Sequence, residues 1–596
     1  RNQTIVERPH RNTKIVKPIT VSNKLLTYHG RNGAHKVLGM MRCNREATMV
    51  ERRNRHQVSK YLLATAAPLA IGIFSISPAA ASSTCAQLAN LHRAHTTITT
   101  AQDVPAGTFV APTSPPSSIT GLPAFCRVAG FTTPTSDSHI EFEVWIPESG
   151  WILKYAQVGC GGFCGSISYA SMAEPLRRGY AVAATDDGHE AGGTDGSWAL
   201  GHPEKVIDFG YRSLKETTDV AKDVIMAFKS NSARRSYFLG CSDGGREALM
   251  EAQRYPQDFD GIVAGSPANF WTHLMTGFIW NQNALGAVSG GDLTQADLNV
   301  VSSSMLAQCA GHDGGLGTDQ FLNNPLACNF NPAKLSLTAD KVQAVEKIFS
   351  GPPGIFPGYR VGGDEASNVA NWPAWLTDTG NPANGLQELF GDNYFKFIVF
   401  PSSGWTPSTN TPAENAHAAD VRTAAILNST DANLRPFQRH GGKLIQYVGW
   451  GDTAISPVND INYLHSVAQE LGGHEAIRDF YRLFMVPGMA HCSGGPGANA
   501  FGQLGAPNGP TPSDASDDIL TALDQWVERG DAPDKIVATK YVNDTPAQGI
   551  AFQRPLCPYP QFAKYKGTGS TTSAASFACV KPDHDDDNND KQASNN

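Results

Sequence analysis

The tightest constraint in this chain is five residues long. Gly240-Cys241-Ser242-Asp243-Gly244 follows directly on Ser236-Tyr237-Phe238-Leu239, a short apolar strand, and Glu247 to Arg254 continues as a helix. A strand that turns this sharply into a helix brings the two backbones close together, and glycine at 240 and 244 leaves room for that approach. The serine at the apex then projects its hydroxyl above the sheet, with the helix N-terminus beneath it. The G-x-S-x-G spacing alone is a weak signal, because loops collect glycine and serine. Its weight comes from having a strand before it and a helix after it.

The flanking residues set this turn in a larger architecture. Ile140 to Ile146 alternates as a strand, Lys154 to Val158 reads as another, and Gly179 to Thr185 as a third. Lys215 to Lys229 predicts an amphipathic helix with Val220, Val224, Ile225, Ala227 and Phe228 on one stripe, and Gly261 to Gly265 predicts the next buried strand. Strands alternating with helices imply an α/β fold, a mostly parallel sheet with helices on both faces. Between residues 268 and 432 that rhythm is lost. This segment is rich in Gly, Pro, Asn and aromatics, including Trp271, Trp280, Trp372, Trp375, Phe390, Phe395, Phe397 and Trp405. Strands resume at Lys443 to Val448 and Phe480 to Val486. An insertion that leaves a sheet and returns to it predicts a lid domain over 268–432, between core halves at 82–267 and 433–563. A separate domain in series fits less well, because the candidate catalytic residues straddle the insert. From Lys564 the composition is that of a solvated tail with a disordered end, running through Asp583-His584-Asp585-Asp586-Asp587.

The N-terminal region bears on the compartment. Arg52, Arg53, Arg55 and Lys60 precede an apolar run from Tyr61 to Ile76 and then Pro78-Ala79-Ala80-Ala81-Ser82. A basic region, an apolar region and a small-x-small site predict a cleaved signal peptide over 49–81 and a secreted or periplasmic protein. The run is too short and too rich in small residues for a membrane span. Met40, Met41 and Met49 precede the basic cluster, so residues 1–48 are expected to be non-native leader. Residues 1–81 hold 14 Lys and Arg against 3 Asp and Glu, so the whole-chain charge of −8 leaves about −19 for the remainder. That acidic exterior argues against nucleic acid or an anionic membrane as partner. Of 11 cysteines, Cys43 lies in the leader, and the other ten form an even set, as expected of exported disulfides. Zinc is the competing reading for Cys160 and Cys164, but no second close pair of Cys or His follows in sequence to complete a tetrahedral site.

A serine hydroxyl becomes a nucleophile only when a base takes its proton, and that base must be oriented by a carboxylate. Asp452 follows the strand Lys443 to Val448 through Gly449-Trp450-Gly451, and His491 follows Phe480 to Val486 through Pro487-Gly488-Met489-Ala490. Both positions fall at strand C-terminal ends, in the order serine, acid, histidine. The rivals are weaker: Asp460 and His465 read as helical, His474 sits in a Gly-Gly turn, and Asp479 begins a strand. Cys241 and Cys492 adjoin the serine and the histidine. A bond between them needs Cα atoms roughly 4.4–6.8 Å apart, which would bring Ser242 and His491 toward the ~2.6–3.2 Å contact of proton transfer. Pairing of either cysteine with Cys160 or Cys164 is the alternative.

Cys241-Ser242, Asp452 and His491-Cys492 resemble the CS-D-HC motif of the tannase and feruloyl esterase family, secreted serine esterases with an α/β-hydrolase core and a lid. Gly240 to Pro267, Gly441 to Pro457 and Pro487 to Cys492 match its sequence blocks, so the resemblance runs over essentially the whole chain after the signal peptide. It implies the Cys241–Cys492 pairing, and also Cys85 with Cys126, Cys309 with Cys328 and Cys557 with Cys579, which leaves Cys160 and Cys164 for each other. It implies an oxyanion hole built from the amide of Asp243 and one from the loop Gly159 to Gly165. Gly161 is the first candidate there and Gly162 the next. The family pattern usually lacks the two cysteines in that loop.

The resemblance further implies a lid calcium loop after Cys309. Ala310 stands where the first aspartate is expected, and a two-residue insertion displaces the last, leaving Asp313 and Asp319 as candidate ligands with the carbonyls of Gly317 and Phe321. No cofactor is implied for the chemistry. The expected function is hydrolysis of a small aromatic ester, with a phenolic galloyl or feruloyl group. A terephthalate monoester, which one family member reads with a lid arginine, fits less well, because no arginine occurs between Arg360 and Arg422. A noncatalytic exported binding protein and a peptidase on the same fold are the competing readings.

Overall fold

The structure, a computed structural model, describes residues 83–582 except 361, 367–370, 378–384, 402–403 and 508–513. The expected leader and signal peptide, and the acidic run from Asp583, lie outside the described residues.

Eleven strands lead up to and span the core: β1 (Thr96–Val104), β2 (Gly107–Ala111), β3 (Ser117–Leu122), β4 (Phe125–Thr132), β5 (Ile140–Pro147), β6 (Lys154–Val158), β7 (Ala181–Thr185), β8 (Arg235–Cys241), β9 (Gly261–Gly265), β10 (Lys443–Gly449) and β11 (Tyr481–Val486). Nine of them make one sheet in the order β1-β4-β5-β7-β6-β8-β9-β10-β11, while β2 and β3 pair as a separate hairpin. From β7 to β11 every pairing in the sheet is parallel, and β1, β4 and β5 add an antiparallel edge. The parallel strands are apolar on both faces because both faces are covered. Phe238, Ile262 and Leu444 pack with Val220, Val224 and Ile225 of the helix Ser213–Lys229 and with Leu464 and Val467 of the helix Pro457–Leu471. Tyr237, Leu239, Val263 and Ile445 point the other way, to Met172, Leu176, Leu523 and Trp526. The sheet is therefore the centre of an α/β fold of the expected kind.

Residues between β9 and β10 form helices, chief among them Trp271–Gly286, Gln295–Cys309, Ala339–Ser350, Leu386–Asn393 and Pro412–Ala419. They share a core of their own that includes Phe278, Val301, Ile348, Phe395 and Trp405. Phe163, in the loop after β6, and Phe209 join that core, so the insert rests on loops at one end of the sheet.

After the helix Ile519–Arg529 come β12 (Ile536–Tyr541), β13 (Ile550–Leu556), β14 (Phe562–Tyr565) and β15 (Phe577–Val580). This corrects the expectation of a solvated tail from Lys564. β14 and β15 pair antiparallel, Phe577 is buried, and Cys579 is bonded to Cys557. Composition reads the intervening Gly, Ser and Thr as tail because one bridge and one buried aromatic hold a segment that is otherwise polar. Five bridges are present: Cys85–Cys126, Cys160–Cys164, Cys241–Cys492, Cys309–Cys328 and Cys557–Cys579. Among the described residues no helix is long and apolar enough to cross a membrane.

Candidate active site

Ser242 sits between β8 and the helix Asp243–Arg254 with φ 67° and ψ −122°, backbone that an L-residue adopts only when its surroundings compel it. Its amide donates to Gly265 O at 3.0 Å and its carbonyl accepts from Ala268 N at 3.1 Å, so the strand and loop next door hold the turn. A Cβ on Gly240 would lie 2.0 Å from Gly244 O, which is why the turn requires glycine there.

Asp452 and His491 meet above this turn. The Asp452 carboxylate, 2% exposed, accepts from the amides of Ala454 and Ile455 at 2.9 and 2.8 Å and is thereby fixed. His491 Nδ1 lies 2.9 Å from Asp452 Oδ2 and 3.1 Å from Oδ1. A carboxylate can only accept, so Nδ1 carries a proton toward Asp452, and in the neutral ring Nε2 is then the nitrogen with a lone pair. The bridge Cys241–Cys492, with Cα atoms 6.0 Å apart, ties the residue before the serine to the residue after the histidine. Nε2 lies 3.7 Å from Cys492 Sγ, and no hydrogen bond joins it to Ser242 Oγ, a looseness common before substrate tightens such a site. The rivals lie elsewhere. Asp460 accepts from Gln446 beneath the sheet, His465 and His474 meet edge to face at 5.2 Å, and Asp479 neighbours Lys443, whose ammonium donates to its carbonyl.

The loop Gly159–Gly165 faces the same turn. Gly159 N donates to Leu239 O and Gly244 N to Cys160 O, each at 2.9 Å, which locks the loop to the strand–helix junction. The amides of Asp243, Gly161 and Gly162 donate to no acceptor among the described residues. Gly162 lines the slot beside Ser242, and a Cβ on Gly161 would meet open space.

Beneath this loop lies a cluster that sequence reasoning missed. Asp187, Asp243 and Glu247, all buried, crowd the Cys160–Cys164 bridge, with Cys160 Sγ 2.8 Å from Glu247 Oε1 and Cys164 Sγ 3.3 Å from both Asp187 Oδ2 and Asp243 Oδ2. The five side chains offer atoms within 4.8 Å of one another, so the partners that sequence spacing denied to a metal are supplied in space. The sulfurs, however, are bonded to each other and present no thiolate. The one buried cation in the cluster is Arg246, which pairs with Asp243 and donates to the carbonyls of Phe209 and Gly210 at 2.9 and 2.8 Å. Burial, then the neighbouring Asp243 charge, pushes the Asp187 carboxyl up to about 7. Burial also raises Asp243, where Arg246 offsets part of the effect, and raises Glu247 strongly, with Asp187 and Asp243 adding to it. The available signal was positional: Arg246 and Glu247 are charged residues in the first turn after the serine, and Asp187 stands at a strand C-terminal end.

Ser242 opens on a narrow slot whose walls are Trp271, Leu274, Phe278, Trp375, Phe390 and Ile455. Of the insert's aromatics, Trp271, Trp372, Phe390, Phe395 and Trp405 are buried in its core, but Trp375 does more. Its ring meets His491 edge to face at 5.0 Å and lies near-parallel to Phe390 at 6.0 Å.

In the loop after Cys309, Asp313 and Asp319, expected as calcium ligands, are engaged by groups of the chain itself. The oxygens of Asp313 are taken by backbone amides, Oδ1 by Gly315 and Oδ2 by Asn323 and Asn324. Asp319 Oδ1 is 3.1 Å from Arg554 Nη2 and its Oδ2 accepts from Leu316 N. Arg554 lies between the rings of Phe552 and Phe577, 4.6 and 4.4 Å from their centroids. The positive charge that Asp319 requires therefore comes from an arginine on β13, and Ala310 supplies no carboxylate.

Comparison with known proteins follows the same line. The family model described as tannase and feruloyl esterase matches residues 126–580. An uncharacterized esterase of Xanthomonas campestris pv. campestris is 40% identical over 537 residues, covering 85% of this chain and 92% of its own. A probable feruloyl esterase B-2 of Neosartorya fischeri is 33% identical over 467 residues, covering 76% and 86%. Among solved structures, feruloyl esterase B from Aspergillus oryzae aligns with a TM-score of 0.74 at 29% identity, covering 83% of this chain and 99% of its own. Tannin acyl hydrolase from Aspergillus niger, at 20% identity, shares the fold, with a TM-score of 0.64 over 83% and 93% of the two chains.

Proposed function

The chain belongs to the tannase and feruloyl esterase family, and from that premise we propose that it is a secreted serine esterase that cleaves esters of phenolic acids through an acyl-enzyme. The observation that carries this reading is the His491–Asp452 pair, tied by the Cys241–Cys492 bridge to a serine in strained backbone.

Ser242 Oγ attacks the ester carbonyl carbon as His491 Nε2 takes its proton. Asp452 holds the imidazole in the tautomer with Nδ1 protonated and stabilises the imidazolium that forms. The carbonyl oxygen becomes an oxyanion, received by the amides of Asp243 and Gly161, which have no other acceptor among the described residues. Collapse of the tetrahedral species breaks the bond to the alcohol, and His491 returns its proton to that leaving oxygen. Water, deprotonated by the same Nε2, attacks the acyl-enzyme and releases the acid, restoring Ser242.

The slot walls supply the substrate reading. Trp271, Phe278, Trp375 and Phe390 line the slot beside Ser242, an aromatic surface that favours an aromatic acyl group such as feruloyl or galloyl over an aliphatic one. The insert over 268–432 is then the lid that shapes the slot. Five disulfides favour an oxidising, exported setting. Replacing Ser242 with Ala is expected to lower turnover of methyl ferulate and methyl gallate by several orders of magnitude while the melting curve is kept. A p-nitrophenyl ester should give a burst of p-nitrophenol near one equivalent. Unchanged turnover in S242A, or no ester cleavage by the native chain, would reject the reading in favour of a binding protein.

A further inference from the structure

The oxyanion loop needs something to hold its far side. Its near side is fixed by Gly244 N donating to Cys160 O, and its far side rests on Phe163, two residues beyond Gly161. Phe163 N donates to Gly193 O at 2.7 Å, and Phe163 O lies 2.8 Å from Nε2 of His189. The Phe163 ring, fully buried, meets Trp271 at 5.8 Å and Phe390 at 5.3 Å, two walls of the slot. A shift of Phe163 would therefore move both the oxyanion amides and the acyl slot.

We propose that His189 is a positioning residue of this esterase, holding the oxyanion loop in register through a hydrogen bond from Nε2–H to the carbonyl of Phe163. The inference rests on the reading of Ser242 as nucleophile. A carbonyl only accepts, so this bond requires the proton on Nε2, which leaves the buried Nδ1 unprotonated and without a hydrogen-bond partner among the described residues. The ring is 2% exposed, stacked on Trp198 at 3.7 Å and 15°, and set edge-on to Phe209 at 6.0 Å. That sandwich fixes the donor's direction as no mobile side chain could. Burial lowers its pKa to about 4, so the imidazole stays a neutral donor at neutral pH. His189 lies in the loop after β7, and Asp187, two residues before it, reaches the Cys160–Cys164 bridge, so one loop braces the oxyanion segment at two points. His189 itself is not among the residues that line the slot, so substrate binding as such gives it no role.

The test compares His189→Leu and His189→Gln in the full chain with methyl ferulate as substrate. Leucine keeps the bulk and removes the donor, while the glutamine amide places an N–H near Nε2. His189→Leu is expected to lower kcat about tenfold or more with KM changed less than about twofold, since a misplaced oxyanion donor is felt in the transition state. The Ki of phenylboronic acid, which forms a tetrahedral adduct on the serine, should rise by a similar factor, and His189→Gln should recover most of both losses. Equal behaviour of the two variants, a change in KM alone, or an unchanged kcat in His189→Leu overturns the proposal. If His189→Leu fails to fold, His189→Asn takes its place, because its shorter amide falls short of Phe163 and must show the loss that His189→Gln escapes. S242A measured in parallel separates the outcomes: activity surviving there sinks the nucleophile assignment, whereas activity surviving in His189→Leu sinks only the positioning role.

Discussion

Asp187 shows how much of the site depends on residues with no motif to announce them. It carries a carboxyl raised from 3.8 to about 7, chiefly by burial, beside two more buried carboxyls and one arginine. Between those two pH values the folded chain keeps a proton that the unfolded chain has released. Its contribution to stability is therefore full below pH about 4 and fades as pH rises toward 7. Asp187→Asn removes that dependence, so its melting temperature should gain on the native chain steadily from pH 5 to pH 8. A pH-independent gap in thermal melts would contradict the assignment. The candidate triad, Ser242, Asp452 and His491, could be picked out because serine, acid and histidine obey an order and stand at strand ends. The supporting cluster could not, because Asp187, Arg246, Glu247 and His189 come together only when two loops and a helix pack, and no spacing rule links them.

At the scale of elements, the strands were readable from runs such as Tyr237-Phe238-Leu239 and Gly261 to Gly265, whose apolar continuity follows from cover on both faces. The hairpin β14–β15 was not readable, since its few buried residues are outnumbered by Gly, Ser and Thr. Its packing has an energetic side. Arg554 on β13 and Asp319 in the insert form a pair with 6% and 11% of their side chains exposed, joining the C-terminal strands to the insert. Removing one partner of a buried pair costs about 3–5 kcal/mol, so Arg554→Met should melt several degrees lower than the native chain. The double variant Asp319→Asn, Arg554→Met should recover part of that loss, because no charge is then left alone. Since Arg554 supplies the cation, EDTA should leave the native melting temperature within about 1 °C of its starting value. A large drop on chelation would restore a metal to this loop.

At the scale of the molecule, the Cys241–Cys492 bridge closes a loop of 251 residues that contains the whole insert. Replacing both cysteines with Ala should cost about 2–4 kcal/mol of stability and lower kcat more than it raises KM, because the histidine is then aimed by packing alone. Titration with denaturant and steady-state kinetics check the two parts separately. The bridge also has a topological consequence. The other four disulfides close within residues 85–164, 309–328 and 557–579, so Cys241–Cys492 alone joins the sheet strands before the insert to those after it. A protease that nicks the insert outside 309–328 would therefore yield two polypeptides that migrate as one until reduced. The nicked protein keeps Ser242 and His491 on different polypeptides yet still covalently joined, so a cut in the insert leaves one two-chain molecule rather than two separate fragments.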